Sequence, residues 1–256
     1  MANDSSEHVV RGSVIGVPVN VVSWDAAEDR IRKWAAAQES RYVCLCNVHS
    51  VVTAARDDSF LTVISGADMA APDGAPVAWM LRRTGFREQA RIDGPGLMWR
   101  LLSAAERDNR GVFFYGSTET TLAQLAVAAK RAFPRLNIAG LCSPRFSALS
   151  AAEHGAHVDL INRSGASLVF VALGCPKQER WMADQRGRVN AVMIGVGAAF
   201  DYHAGSLPRA PRWMQAAGLE WFHRLLSEPR RLWYRYLTTN TYFIWKCAGQ
   251  LFKAHE

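Results

Sequence analysis

A succession of short, uninterrupted apolar runs restricts the fold most. Each run is closed by a polar or glycine-rich step and followed by a helical segment. The runs are Tyr42–Cys46, the stretch ending at Asp73, Val112–Tyr115, Leu136–Leu141, Leu168–Leu173 and Ala191–Ile194. They are continuous rather than alternating in polarity, so both faces of each strand must be covered. That pattern specifies a mostly parallel sheet with helices on both faces, an α/β fold. Helical periodicity is expected over Trp24–Gln38, Ser50–Ile64, Ala75–Arg83, Leu97–Asp108 and Ser150–Ser164. Residues 11–204 read as one such domain. Ser13–Val22 reads as short strands around a turn, and residues 1–10 read as disordered.

From Gly205 the character changes. Residues 205–256 carry five of the seven net positive charges of the 256-residue chain and ten of its aromatic side chains. This appendage reads as helical, with Pro229 ending one helix and opening the next. Trp233, Leu237, Ile244 and Leu251 fall along one side. Basic aromatic helices lie in lipid headgroup layers, and an internal helix packing on the sheet shows the same periodicity. The overall charge of +7 points to an anionic partner: a nucleotide, a nucleic acid or an acidic membrane. Five scattered cysteines favour a reducing compartment. The polar, acidic start is unlike a secretory signal, and no apolar run approaches the ~20 residues that span a bilayer. The expected setting is cytoplasmic, soluble or peripheral to a membrane.

Several strand ends carry chemistry. In Ala67–Gly74 the Pro72-Asp73-Gly74 step cannot continue a strand, and a helix follows at once. Strand, turn, helix presents Asp73 at the carboxyl edge of the sheet, where ligands sit in such folds. An aspartate there also serves commonly as a helix N-cap. Gly116, Ser117, Thr118 and Glu119 place amides and a hydroxyl at a helix start, which suits a phosphate or an ordinary cap. Pro176-Lys177-Gln178-Glu179 sets a cation, an amide and an acid on another helix start. Gly195-Val196-Gly197 approaches a dinucleotide fingerprint, but Phe200 stands at the third glycine position. Asn47 and His49 lie at a further strand end. No metal-type spacing occurs, and Asp57-Asp58 reads as solvated. A diphosphate would then be neutralised by arginines such as Arg91.

In order and spacing these stretches resemble the WecG/TagA/CpsF glycosyltransferases, glycosyltransferase family 26. The resemblance is carried by Asn47–Val52, Ala67-Asp68 with Asp73-Gly74, Arg91 with Gly94, Phe114–Gly116, Gly174–Glu179 and Gly195–Asp201. It continues through Arg209–Pro211, Gly218–Trp221 and Glu228–Arg231. It implies a Rossmann-like sheet with a membrane-binding C-terminal appendage at the inner face of the cell membrane. It further implies metal-independent, inverting transfer from a UDP-sugar to a polyprenyl-diphosphate-linked saccharide, with no cofactor. The family's base falls on Asp73 and its loop glutamine on Gln178. Substrate binding falls on Asn47, His49, Arg91, Gly116, Ser117, Lys177, Glu179, Gly195, Gly197 and Asp201. Its appendage arginines fall on Arg224, Arg231 and Arg235. Two positions depart from the pattern: Leu45 replaces a threonine and Gly96 an aspartate, both near the sugar pocket. Monomer and homo-oligomer are both compatible with the sequence. The alternatives are an NAD-type oxidoreductase using the Gly195 loop and a basic membrane or nucleic-acid adaptor. Clustering of charge in an aromatic tail argues against nucleic acid.

Overall fold

The computed structural model describes residues 10–145 and 150–253. The side chains of Arg212, Ala216, Arg231, Arg235 and Lys253 are outside the described set, as are residues 1–9, where disorder was expected. The chain opens with a hairpin, β1 (Arg11–Val14) antiparallel to β2 (Val17–Asn20). There follow α1 (Trp24–Ala36), β3 (Arg41–Cys46), α2 (Val48–Arg56), α3 (Asp58–Ser65), β4 (Met69–Pro72), α4 (Ala75–Arg83) and α5 (Gly94–Arg107). Next come β5 (Gly111–Gly116), α6 (Glu119–Ala132), β6 (Asn137–Cys142), α7 (Ala151–Arg163), β7 (Leu168–Ala172), α8 (Lys177–Gln185) and β8 (Val192–Gly195). The chain ends in α9 (Ala199–Ala204), α10 (Arg212–Ala216), α11 (Glu220–Ser227) and α12 (Pro229–Lys253).

Among the described residues β3 to β8 form one parallel sheet in the order β4-β3-β8-β7-β5-β6. Successive side chains point to opposite faces. Cys44, Tyr115, Val169 and Met193 therefore pack in one core layer, and Val43, Phe114, Phe170 and Ile194 in the other. The fold is the expected α/β, Rossmann-like sheet with a helical C-terminal segment. The chain passes from β3 out to β4, then crosses to β5 on the far side. The helix after β3 packs in one core layer and the helix after β8 in the other, the divergence at which ligands sit in such folds.

Two expected boundaries differ. The single helix over Ser50–Ile64 is broken at Asp57, which caps α3 by accepting from the Phe60 amide (3.1 Å). Asp57 is also paired with Arg180 at 2.7 Å rather than simply solvated. Helix α5 starts at Gly94, not Leu97, because Asp93 caps it through the Gly96 amide at 2.9 Å.

In α12, Leu232, Thr239, Phe243 and Cys247 are buried, and the helix packs against α2. A second stripe, Trp233, Leu237 and Ile244, is exposed, whereas Leu251, expected on the same side, is half-buried and packs against the core. Near its end the Gln250 amide brackets the hairpin, donating to the Ser13 carbonyl and accepting from the Ile15 amide, both at 2.7 Å. Among the described residues no helix is long and apolar enough to cross a membrane.

Candidate active site

The loops after β4, β3, β8, β7 and β5 stand in a row along the carboxyl edge of the sheet. Pro72 ends β4, and the Asp73 amide donates to the Cys46 carbonyl at 2.9 Å, which pins Asp73 at the rim. Gly74, not Asp73, is the N-cap of α4, and no side chain caps that helix. The Asp73 carboxylate therefore has a different neighbour: Arg91, whose Nε lies 3.7 Å from Oδ1. Burial is the main cause that pushes the Asp73 carboxyl up, to about 7. Arg91 opposes it, while the charges of Asp93 and Glu220 add to it. With the side chain 22% exposed, the group remains reachable.

Arg91 is held by the strand next to it, because the Ile92 amide donates to the Pro72 carbonyl (2.9 Å). One residue on, Asp93 caps α5 and accepts from Arg209 Nη2 at 2.7 Å. The appendage then contributes Glu220, the first residue of α11. Glu220 Oε2 pairs with Arg91 Nη2, and Oε1 lies 3.7 Å from Arg209 Nε. Carboxylates and guanidiniums thus alternate in the order Asp93, Arg209, Glu220, Arg91, Asp73. Arg224, one turn further along α11, lies near enough to lower the Asp73 carboxyl and is itself 3.6 Å from Glu228. The close approach needs Gly218: its φ is +71°, and a Cβ there would stand 2.9 Å from the Ala75 Cβ.

Asn47 lies beside this cluster, its Cβ 3.6 Å from where a Gly74 Cβ would stand. It caps α2 in a reciprocal box with Ser50 (3.2 and 2.8 Å). His49 is half-buried on the first turn of that helix. Next along the edge, Gln178 is buried and its amide nitrogen donates to Glu179 Oε1 at 2.9 Å. Gly195 leaves room for that amide, which would lie 3.1 Å from a Cβ, and Gly197 lies just beyond. Glu179 is 1% exposed, and burial pushes its carboxyl up against the opposing Gln178 bond. Among the described residues Gln178 Oε1 is buried without a hydrogen-bond partner, while the Cys175 side chain also opposes the rise of the Glu179 carboxyl. Lys177 is exposed at the helix start, and Asp201 is half-buried on α9. Phe200 is buried and meets Phe114 edge-on at 5.6 Å, so the third fingerprint position is filled by core.

Gly116 ends β5 and Ser117 follows it, four strand spacings from β4, or about 19 Å. Gly116 has φ +116°, and a Cβ would stand 2.4 Å from the Ala172 carbonyl oxygen. The Ser117 amide is already spent on that oxygen at 3.0 Å. The helix-start donors that remain for an anion are the amides of Glu119 and Thr120, behind the Thr118 cap. Arg231 and Arg235 are outside the described side chains.

Asp93, Arg209 and Glu220 escaped the sequence reading as site residues. Asp93 had a signal, an acid three residues before the Gly96 amide it caps. Arg209 and Glu220 had only their place in recurring tail stretches. At the two departures, Leu45 is 5% exposed, and its Cδ1 would lie 3.3 Å from a Gly94 Cβ. A Cβ at Gly96 would stand 2.8 Å from Trp24 and 3.2 Å from both Asp93 carboxylate oxygens. The space a residue 96 side chain would need is therefore filled by the Trp24 ring and the Asp93 carboxylate.

The family model described as "Glycosyl transferase WecG/TagA/CpsF family" matches residues 12–256. Two curated relatives are N-acetylglucosaminyldiphosphoundecaprenol N-acetyl-beta-D-mannosaminyltransferases. The one from Bacillus subtilis (strain 168) is 33% identical over 197 residues, 77% of this chain and 75% of the relative. The one from Bacillus spizizenii (strain ATCC 23059 / NRRL B-14472 / W23) is 34% identical over 202 residues, 78% and 76% of the two chains.

Proposed function

Because this chain belongs to the WecG/TagA/CpsF family of glycosyltransferases, we propose that it moves a sugar from a UDP-sugar to a polyprenyl-diphosphate-linked saccharide, with inversion and without a metal. The relatives' names specify a lipid-linked N-acetylglucosaminyl diphosphate acceptor. The same acceptor chemistry suits a chain whose tail is cationic and aromatic. Asp73 at the sheet rim, with its carboxyl near 7, is the observation that carries this reading.

In the proposed reaction an acceptor hydroxyl gives its proton to the Asp73 carboxylate as its oxygen attacks the anomeric carbon. The bond from that carbon to the UDP oxygen breaks, and UDP leaves with the electron pair. A positioned carboxylate base contributes typically ~100- to 10,000-fold. Charge growing on the diphosphate would be met by Arg91 and Arg224, with Arg231 and Arg235 from the same appendage, rather than by a divalent ion. Gln178 would orient a sugar or phosphate from beneath the Gly195–Gly197 loop, and Glu179 would fix that amide. Asn47, His49, Lys177 and Asp201 would line the edge, while Gly116 and Ser117 shape a loop whose helix start faces an anion. Leu45, buried in the core beside Gly94, would offer the donor sugar no hydroxyl where the family pattern has threonine.

Residues 11–204 would form the catalytic unit and residues 205–256 the membrane-associating appendage, at the inner face of the cell membrane. The test is release of UDP from a UDP-sugar in the presence of a lipid-diphosphate acceptor. Asp73→Asn is expected to lose at least about 100-fold in rate while still binding UDP, and excess chelator is expected to leave the parent rate unchanged. An active Asn variant, or a rate lost to EDTA and restored by magnesium, overturns the respective assignment.

A further inference from the structure

We propose that Glu220 is an internal stand-in for the substrate's anionic group, seated between Arg91 and Arg209, and that a diphosphate takes over this seat on binding. The proposal relies on the reading above only in naming a diphosphate as the occupant.

A carboxylate and a phosphate present the same pair of oxygens to a guanidinium, so one can hold the place of the other. Glu220 does so with both oxygens: Oε2 on Arg91 Nη2, and Oε1 3.7 Å from Arg209 Nε. Both arginines are braced from their far sides by catalytic-domain acids. Asp93 accepts from Arg209 Nη2 at 2.7 Å, and Asp73 lies 3.7 Å from Arg91 Nε. The guanidiniums are thus prepositioned by groups that would stay when Glu220 leaves. Among the described residues Arg91 Nε has no hydrogen-bond partner, its nearest carboxylate being Asp73 at 3.7 Å, so Glu220 leaves part of the guanidinium's donor capacity unused. Glu220 and Arg209 both belong to residues 205–256, so the seat is emptied by the Glu220 side chain turning away and not by departure of the whole segment. Arg209 then stays on Asp93 and Arg91 beside Asp73. Its charge also helps raise the Asp73 carboxyl, an effect that an incoming diphosphate would replace.

An occupied seat lowers the apparent affinity for an external anion by the fraction of molecules in which the seat is free. Neutralising the occupant should raise affinity. If Glu220 were only a fastener for the appendage, removing its charge would loosen the site and weaken binding.

The experiment is calorimetric titration of the full chain with inorganic pyrophosphate and, separately, with UDP. Glu220→Gln is expected to bind pyrophosphate roughly three- to tenfold more tightly than the parent. Arg209→Ala in that background is expected to cancel the gain. A variant that binds pyrophosphate no better than the parent, or for which neither protein binds it detectably, overturns the proposal. If Glu220→Gln does not fold, Glu220→Asp keeps the charge, shortens its reach and is expected to show a smaller gain in the same direction. A pyrophosphate gain without any UDP binding or sugar transfer would leave the seat standing and sink the donor assignment. Normal transfer with no gain would sink the seat alone.

Discussion

Asp73 is buried enough to hold a proton near neutrality and open enough to meet a substrate. Its carboxyl lies at about 7 in the folded chain, against an ordinary 3.8. Activity that needs the ionised form should rise with pH to a plateau, with a midpoint near 7 in kcat/KM. The same shift has a stability consequence. The folded state binds this proton more tightly than the unfolded state, so ionisation costs stability that is intact below about pH 4 and lost as pH rises through 7. Asp73→Asn should therefore be about 1–3 kcal/mol more stable than the parent at pH 8 and equal to it at pH 4, by denaturant titration. A stability gain that does not depend on pH would contradict this origin. Asp73 was legible because proline, aspartate and glycine after an apolar run force a turn at the sheet rim. Asp93 with Arg209 was not, because the two are 116 residues apart and only the folded appendage brings them together. The Ser117 amide shows the converse. Its position suited a phosphate, but the β7 carbonyl beside it takes the hydrogen bond.

Among the elements, α12 separates what periodicity tells from what it leaves open. A repeat near 3.6 residues identifies a stripe, not what covers it. Here Leu232, Phe243 and Cys247 face the protein, while Trp233 (56% exposed), Leu237 (62%) and Ile244 (66%) face away. The packing and lipid-binding readings of the tail thus concern different sides of one helix. Replacing Trp233, Leu237 and Ile244 together by serine should leave the melting temperature within a few degrees of the parent. Each lost apolar contact with lipid is worth roughly 1–2 kcal/mol, so binding to anionic phospholipid vesicles should fall at least about tenfold in a flotation assay. Unchanged vesicle binding would assign the stripe to some other partner.

At the scale of the whole molecule, the parallel sheet could be read from continuous apolar runs, because strands buried on both faces cannot alternate. The strand order could not. That β8 lies between β3 and β7 depends on which helices fill which face. Nor could the break at Asp57, where a capping carboxylate overrides an otherwise continuous helical pattern. The tail is joined to the sheet domain at two places, because α12 lies on α2 and α11 reaches Arg91 at the rim beside Asp73.

Gln250 clasps Ser13 and Ile15 across 237 and 235 residues, so the beginning and the end of the described chain share one fastening. From that hairpin the Asn20 side chain accepts from the Ala70 amide at 2.6 Å, three residues before Asp73. Gln250→Ala should speed amide hydrogen exchange over residues 11–20 and over the last turns of α12 together, leaving β5 and β7 protected. If the two segments exchange independently, the clasp is ornamental. If they move as one, any force that lipid exerts on the terminal helix arrives at the strand that carries Asp73.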